Sequence, residues 1–167
     1  QGFLNKHFLT GCIGKGNAVA TLFEKASMIL VPDKNETIET LEKTKKLLQK
    51  AGFKSVTVSS AEEHDKIIAY TSQLAHVVSN AYVKSPNSRV HKGFSAGSYR
   101  DLTRVAKLNP DMWTELFLED ADYLNKELDI LIHHLSEYSE ALKARDAEQL
   151  RALLKDGREK KATAGGN

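Results

Sequence analysis

Cysteine is almost missing from this sequence. Cys12 stands alone among 167 residues, so no intramolecular disulfide can form, and no grouping of Cys and His has zinc-site spacing. That usage fits a reducing compartment, and a cytoplasmic location is expected. An excess of one charge sign is missing too: 24 Lys and Arg oppose 22 Asp and Glu, a net charge of +2. Bulk electrostatics therefore supply no reason to expect a nucleic-acid or anionic-membrane partner. No apolar run approaches the roughly 20 residues needed to cross a bilayer, and the first residues lack the charged-then-apolar order of a signal peptide. What remains, 41% hydrophobic and 28% charged, is the composition of an ordinary globular domain able to bury a core.

The three prolines punctuate the chain. Residues Gln1 to Thr21 carry four glycines among small polar neighbours, show no sustained period and read as a loop. Ser27 to Val31 is a short apolar run closed by Pro32, the profile of a buried strand. Asn35 offers an N-cap, and Ile38, Leu41, Leu47 and Leu48 lie near one face of a helix that stops at Ala51-Gly52. Phe53, Val56 and Val58 restore strand character, so this stretch has the size of one βαβ unit. A lone βαβ unit leaves both sheet edges open, which marks it as incomplete.

From Ser60 onward every pattern is helical. Ser60 with Glu63 is a capping box, and Ile67 to Tyr82 continue at helical spacing until Ser85-Pro86. A second stretch runs from Ser98 to Lys107, and Asn109-Pro110 places an N-cap and a Pro at N1 for the next helix, with Trp113 in its first turns as a core residue. Phe117, Ala121, Leu124, Leu128, Leu131, Leu135, Tyr138 and Leu142 then step by four and three, a coiled-coil-like seam broadened by Ile130 and Ile132. A seam of that length implies a homodimer through the helix around Leu124 to Leu142. A charged helix from Ala147 to Lys160 and a disordered tail from Ala162 to Asn167 complete the chain. The expected fold is mainly α, a helical bundle over residues 60–161 preceded by a βαβ piece over 1–59.

The chemistry concentrates between Lys92 and Trp113. Gly93 and Gly97 lead into a helix whose arginines, Arg100 and Arg104, are four residues apart and project from one side. Backbone N–H groups at a helix start together with an arginine make a carboxylate or phosphate site; two solvated arginines is the plainer reading of the spacing alone. Gln73, His76 and Asn80 form a polar stripe opposite Leu74 and Val78, which faces either solvent or a cleft. His64 has an ordinary use as a partner of Asp65. His133 and His134, adjacent on a helix, point to different sides and are not read as metal ligands; no metal is expected. Gly11 to Gly16 lacks both the following Ser/Thr and the preceding strand of a phosphate loop.

These words resemble the prephenate dehydrogenase family. Thr103-Arg104-Val105-Ala106 and the downstream Asn109-Pro110-Asp111-Met112-Trp113, then Glu63-His64-Asp65 and Ser72-Gln73-Leu74-Ala75-His76, resemble the family's motifs in the same order. Leu22-Phe23-Glu24 and Ile29 to Pro32 are similar to the end of its nucleotide-binding domain. The resemblance implies a helical dimerisation domain preceded by the end of a Rossmann domain, as in the C-terminal part of such an enzyme or a shortened relative. It implies NAD(P)-dependent oxidative decarboxylation of prephenate to 4-hydroxyphenylpyruvate in tyrosine biosynthesis. Arg104 is implied as the carboxylate-binding arginine, with His76, Gln73 (where the family has a histidine) and Gly97 lining the substrate site. The family's catalytic histidine corresponds to His7 in one alignment, while in another Lys6-His7-Phe8 is a strand and that histidine is missing. No Gly-x-Gly-x-x-Gly follows a strand, so NAD or NADP belongs to the complete enzyme and none is expected on this chain alone. A helical dimer or regulatory module derived from such an enzyme, without catalysis, is the alternative.

Overall fold

A computed structural model describes Phe23 and residues 26–164. The chain divides into two compact units, the first extending to Ile67 and the second beginning at Ile68. The first unit contains β1 (Ser27–Leu30), α1 (Ile38–Lys50) and β2 (Ser55–Val58). The strands pair in parallel, Ser27 opposite Ser55 through Leu30 opposite Val58, which is the βαβ unit read from the sequence. The cap of α1 is Thr37 rather than Asn35: the Thr37 hydroxyl accepts from the Thr40 amide at 3.2 Å, while the Asn35 amide is drawn back to the Asp33 carboxylate. Gly52 ends the helix with φ of 103°, a left-handed conformation that suits glycine. Of the apolar residues on α1, Leu41 and Leu48 are half-buried, but Ile38 and Leu47 are 82% and 67% exposed.

The Ser60 hydroxyl caps α2 (Ala61–Ile68) by accepting from the Glu63 amide, as the sequence predicts. The helical run through Tyr82 is not uniform. Residues Ala69–Gln73 form a π-helical turn, in which the Leu74 amide donates to the Ala69 carbonyl five residues back, before α3 (Leu74–Tyr82) resumes α geometry. After a 3-10 turn at Pro86–Arg89 comes α4 (Gly97–Thr103), which ends four residues earlier than the expected Lys107. The Thr103 hydroxyl bonds back to the Tyr99 carbonyl, a local alternative to continuing the helix. Asn109 caps α5 (Pro110–Glu119) through the Met112 amide, with Pro110 at the first helical position.

The expected seam is broken by one residue. Asp120, at φ −120° and ψ 26°, separates α5 from α6 (Ala121–Ala144), so Phe117 sits on one helix and the leucines on the next. Arg145 adopts φ 54° and turns the chain, and the Asp146 carboxylate then accepts from the Glu148 and Gln149 amides to start α7 (Ala147–Ala164). That helix includes the first three residues of the expected tail, and Gly165 to Asn167 lie outside the described residues. Among the described residues no helix is long and apolar enough to cross a membrane.

Ala69, Leu74 and Leu124 form the core of the second unit, with Val77, Val78, Phe117, Tyr123, Leu128 and Leu131 against it. The π turn thus lies at the centre of the core and faces the first half of α6. The second half of α6 differs: Ile132, Leu135 and Leu142 are 51%, 58% and 62% exposed. Removing Leu124 leaves a cavity that neighbouring helices cannot close. Leu124→Ala is therefore expected to cost about 2–5 kcal/mol in urea unfolding followed by helical circular dichroism, against under about 0.5 kcal/mol for Leu118→Ala, whose side chain is exposed. Equal costs would remove Leu124 from the core.

Candidate functional site

Helix α3 carries His76 and Asn80 of the expected polar stripe, but it gives each a different surrounding. His76 is half-buried, and its Nδ1 lies 2.8 Å from the Ser72 carbonyl. A carbonyl only accepts, so Nδ1 carries the proton and the neutral ring presents a lone pair at Nε2. The ring stacks on Trp113 of α5, with centroids 4.1 Å apart and planes at 30°, and Trp113 in turn meets Phe117 at 5.2 Å. Trp113 therefore joins the core to His76 rather than serving the core alone. One hydrogen bond and one stacked face hold the imidazole in a single orientation.

Ser79 and Asn80 do what the sequence did not reveal. The Ser79 hydroxyl, 1% exposed, donates to the Leu102 carbonyl at 2.7 Å, and the Asn80 amide donates to the Ala106 carbonyl at 3.0 Å. Those two carbonyls bracket Arg104, which caps the C-terminal end of α4. The Leu102 carbonyl, in the last turn of α4, has no intrahelical partner and takes its donor from Ser79; the Ala106 carbonyl, in the loop beyond the helix, accepts from Asn80 as well as from the Leu108 amide at 3.1 Å. Asn80 is thus a tie rather than part of a stripe facing a cleft. Only its polarity at helical spacing from His76 was visible in the sequence, because the partners lie 23 and 26 residues away.

Arg104 itself is exposed, and no ion pair or side-chain hydrogen bond engages its guanidinium among the described residues. Arg100, one turn earlier, is also exposed and unpaired by the same measure. Two like charges one turn apart repel mildly, and a bound anion relieves that repulsion. Gly97 opens α4 with empty space where a Cβ would stand. It lines an open depression of about 410 Å³ with His91, Ser95, Tyr99, Arg100 and Thr103, in which His91 stacks on Tyr99 at 4.3 Å and lies 2.9 Å from the Ser95 hydroxyl. Neither Arg104 nor His76 lines it. At seven residues α4 is short, so the arginines contribute more charge to the region than its helix dipole does.

Gln73 is 1% exposed and lies in the π turn, with an Oε1 that has no hydrogen-bond partner. His64 bonds Asp65 at 2.9 Å, as its ordinary reading anticipates. His7 lies outside the described residues, as does the Gly11 to Gly16 loop. His133 and His134 do not diverge: both rings turn towards Glu137, His134 Nδ1 at 2.7 Å from one carboxylate oxygen and His133 Nε2 at 4.0 Å from the other. Exposed rotamers, not the helical angle between Cβ atoms, set that arrangement.

Residues 60–156 match the family described as prephenate dehydrogenase, dimerization domain. The chain belongs to the prephenate dehydrogenase family. It is 31% identical over 150 residues to a cyclohexadienyl dehydrogenase of Zymomonas mobilis, covering 86% of this chain and 50% of that protein. It is 29% identical to a prephenate dehydrogenase of Bacillus subtilis, covering 94% of this chain and 44% of that protein. Among solved structures, prephenate dehydrogenase from A. aeolicus in complex with hydroxyphenyl propionate and NAD+ superimposes with a TM-score of 0.72 at 26% identity, over 91% of this chain and 55% of that one. The chain spans about half the length of the curated relatives it matches. His76, Gln73, Gly97 and Arg104 all fall inside the matched family segment.

The tie from α3 has a measurable cost of removal. Ser79→Ala removes the donor to the Leu102 carbonyl and is expected to lower stability by about 0.5–1.5 kcal/mol, whereas Arg104→Ala, at an exposed and unpaired side chain, is expected to change it by under about 0.5 kcal/mol. Chemical unfolding of both variants checks this, and a neutral Ser79→Ala would show that the tie is not formed.

Proposed function

We propose that this chain is the helical, substrate-closing part of a prephenate dehydrogenase, which in the complete enzyme takes part in NAD(P)-dependent oxidative decarboxylation of prephenate to 4-hydroxyphenylpyruvate in tyrosine biosynthesis. The observation that carries the reading is the unpaired guanidinium of Arg104 on a turn fixed by Ser79 and Asn80, within the segment matched to the family. The relatives' names and the ligands of the A. aeolicus complex support the substrate class and the cofactor.

In this reading Arg104 receives a substrate carboxylate through two parallel N–H donors, a geometry that lysine cannot reproduce. His76, with Nδ1 committed to Ser72, offers Nε2 to the substrate as an acceptor, or as a donor when the ring is protonated. Gly97 leaves room for close approach to the start of α4. Gln73 is sealed, so it acts on the site by shaping the π turn that precedes His76, and its free Oε1 is available to a donor that enters the core. The proton acceptor implied at His7 belongs to residues outside the description. A nicotinamide cofactor supplies the redox chemistry of the family. The described residues do not fit it: two parallel strands without a Gly-x-Gly-x-x-Gly turn offer no pyrophosphate site.

The homodimer and the cytoplasmic location belong to the same proposal. The dimer contact is assigned to the second half of α6, because Leu128 and Leu131 are already engaged by their own core while Ile132, Leu135 and Leu142 are exposed. Light scattering should show a dimer that Leu135→Glu converts to monomer; a monomeric parent protein would contradict the assignment.

Two further measurements test the activity. In enzyme carrying the complete cofactor domain, Arg104→Ala should lower kcat/KM for prephenate by roughly 30-fold or more, chiefly through KM, since removing one partner of a desolvated charge pair costs roughly 2 kcal/mol or more. Arg104→Lys should restore little, and Arg100→Ala should cost far less. Near-normal KM in Arg104→Ala, or equal damage in Arg100→Ala, would overturn the assignment. Calorimetric titration of the 167-residue chain with millimolar NAD+ should show no saturable binding, and saturation would relocate the nucleotide site onto this chain.

A further inference from the structure

We propose that His133, His134 and Glu137 form a chelating site for one divalent transition-metal ion of the imidazole-binding class, such as Zn²⁺ or Co²⁺, on the surface of α6. This inference does not depend on the dehydrogenase reading, because it shares no residue with the Arg104 site.

The spacing is the first support. His133 and Glu137 are four residues apart and His134 and Glu137 three apart, the two separations at which helical side chains meet. Glu137 therefore stands between the two rings. Its side chain is the least exposed of the three, 32% against 71% for His133 and 52% for His134, so the carboxylate is the fixed member and the rings are the adjustable ones. One ligand atom from each residue lies within 4.8 Å of the others. The ring centroids are 5.4 Å apart and tilted by 54°, an arrangement in which neither ring shields the other's nitrogen.

The donor set is the second support. Two imidazole nitrogens and one carboxylate are a three-ligand set that completes a tetrahedron with water. Imidazole favours zinc, cobalt, nickel and copper, whereas magnesium and calcium prefer an all-oxygen shell. Ligand atoms about 2.0–2.1 Å from a tetrahedral ion are about 3.4 Å apart. The three ligand atoms, within 4.8 Å of one another, must therefore draw together as His133 Nε2, 4.0 Å from one Glu137 oxygen, and His134 Nδ1, 2.7 Å from the other, converge on a single carboxylate oxygen. The two rings that must move are exposed side chains with no packed neighbour to displace in the solvent-facing part of their path.

The local charge is the third. With neutral rings the cluster carries the single negative charge of Glu137. Lys160 of α7 feels Glu137 but is engaged elsewhere: its ammonium donates to the Asp156 carboxylate, which raises its pKa, with a lesser attraction from Glu137. Glu137, Asp156 and Lys160 together leave one net negative charge for an incoming cation.

Titration of the tag-free chain with Zn²⁺ by calorimetry, and with Co²⁺ by visible absorption, tests the site. One ion per chain should bind, and Co²⁺ should develop the intense visible bands of a tetrahedral nitrogen and oxygen environment. His134→Ala and Glu137→Gln should each weaken Zn²⁺ binding by at least roughly tenfold, since even loss of a group that merely supports a ligand costs that much. His134 is exposed and Glu137→Gln keeps the side chain's shape, so far-UV circular dichroism should be unchanged, and His91→Ala should bind like the parent. No saturable binding at submillimolar Zn²⁺, or unchanged affinity in His134→Ala and Glu137→Gln, would overturn the proposal; the second result would place the ion on other donors such as Cys12.

Discussion

Two hydrogen bonds from consecutive residues of α3 hold the backbone turn that carries Arg104. Ser79 and Asn80 donate to the Leu102 and Ala106 carbonyls, so the short turn between them cannot swing without breaking both hydrogen bonds. The same helix, one turn earlier, holds His76 between the Ser72 carbonyl and the Trp113 ring. One rigid element therefore orients an imidazole and anchors the backbone that carries a cation. The arrangement depends on α3 being anchored in the core, which Leu74 and Ala69 accomplish against Leu124 of α6.

The π turn at Ala69–Gln73 gives that anchoring its phase. An extra residue in one turn rotates everything that follows by about 100° relative to a continuous α-helix. Without it, the residues after Gln73 would face differently from those before it. The cost is visible at Gln73, whose amide oxygen is buried without a partner. An unsatisfied acceptor in a core is destabilising, and such groups are tolerated where a local geometry is required by function.

Local signals are legible in the sequence because their causes are local. The Ser60 and Asn109 caps, the stop at Gly52 and the βαβ order depend on residues within one turn of each other, and the structure reproduces them. The break at Asp120 was hidden because the three-and-four stepping of apolar residues continues in phase across it. The π turn was hidden because Ala69 to Gln73 contains neither Gly nor Pro to mark an irregularity. In the site, Arg104 and His76 came from motif resemblance, since an exposed arginine and a helical histidine are uninformative alone. The tie to Leu102 and Ala106 was not legible: a carbonyl acceptor carries no side-chain signature, and its donors lie more than twenty residues away. Convergence of His133 and His134 on Glu137 depends on rotamers, which helical periodicity does not determine.

The central claim is that Arg104, held by α3, is the cation that receives a substrate carboxylate. A crystal structure of the enzyme with its cofactor domain and hydroxyphenyl propionate, the ligand of the A. aeolicus complex, tests it most directly. The account predicts both guanidinium nitrogens of Arg104 within about 2.7–2.9 Å of the ligand carboxylate, with His76 Nε2 turned towards the ligand and the Ser79 hydrogen bond retained. A carboxylate seated on Arg100 or in the depression beside His91, with Arg104 in solvent, would contradict it.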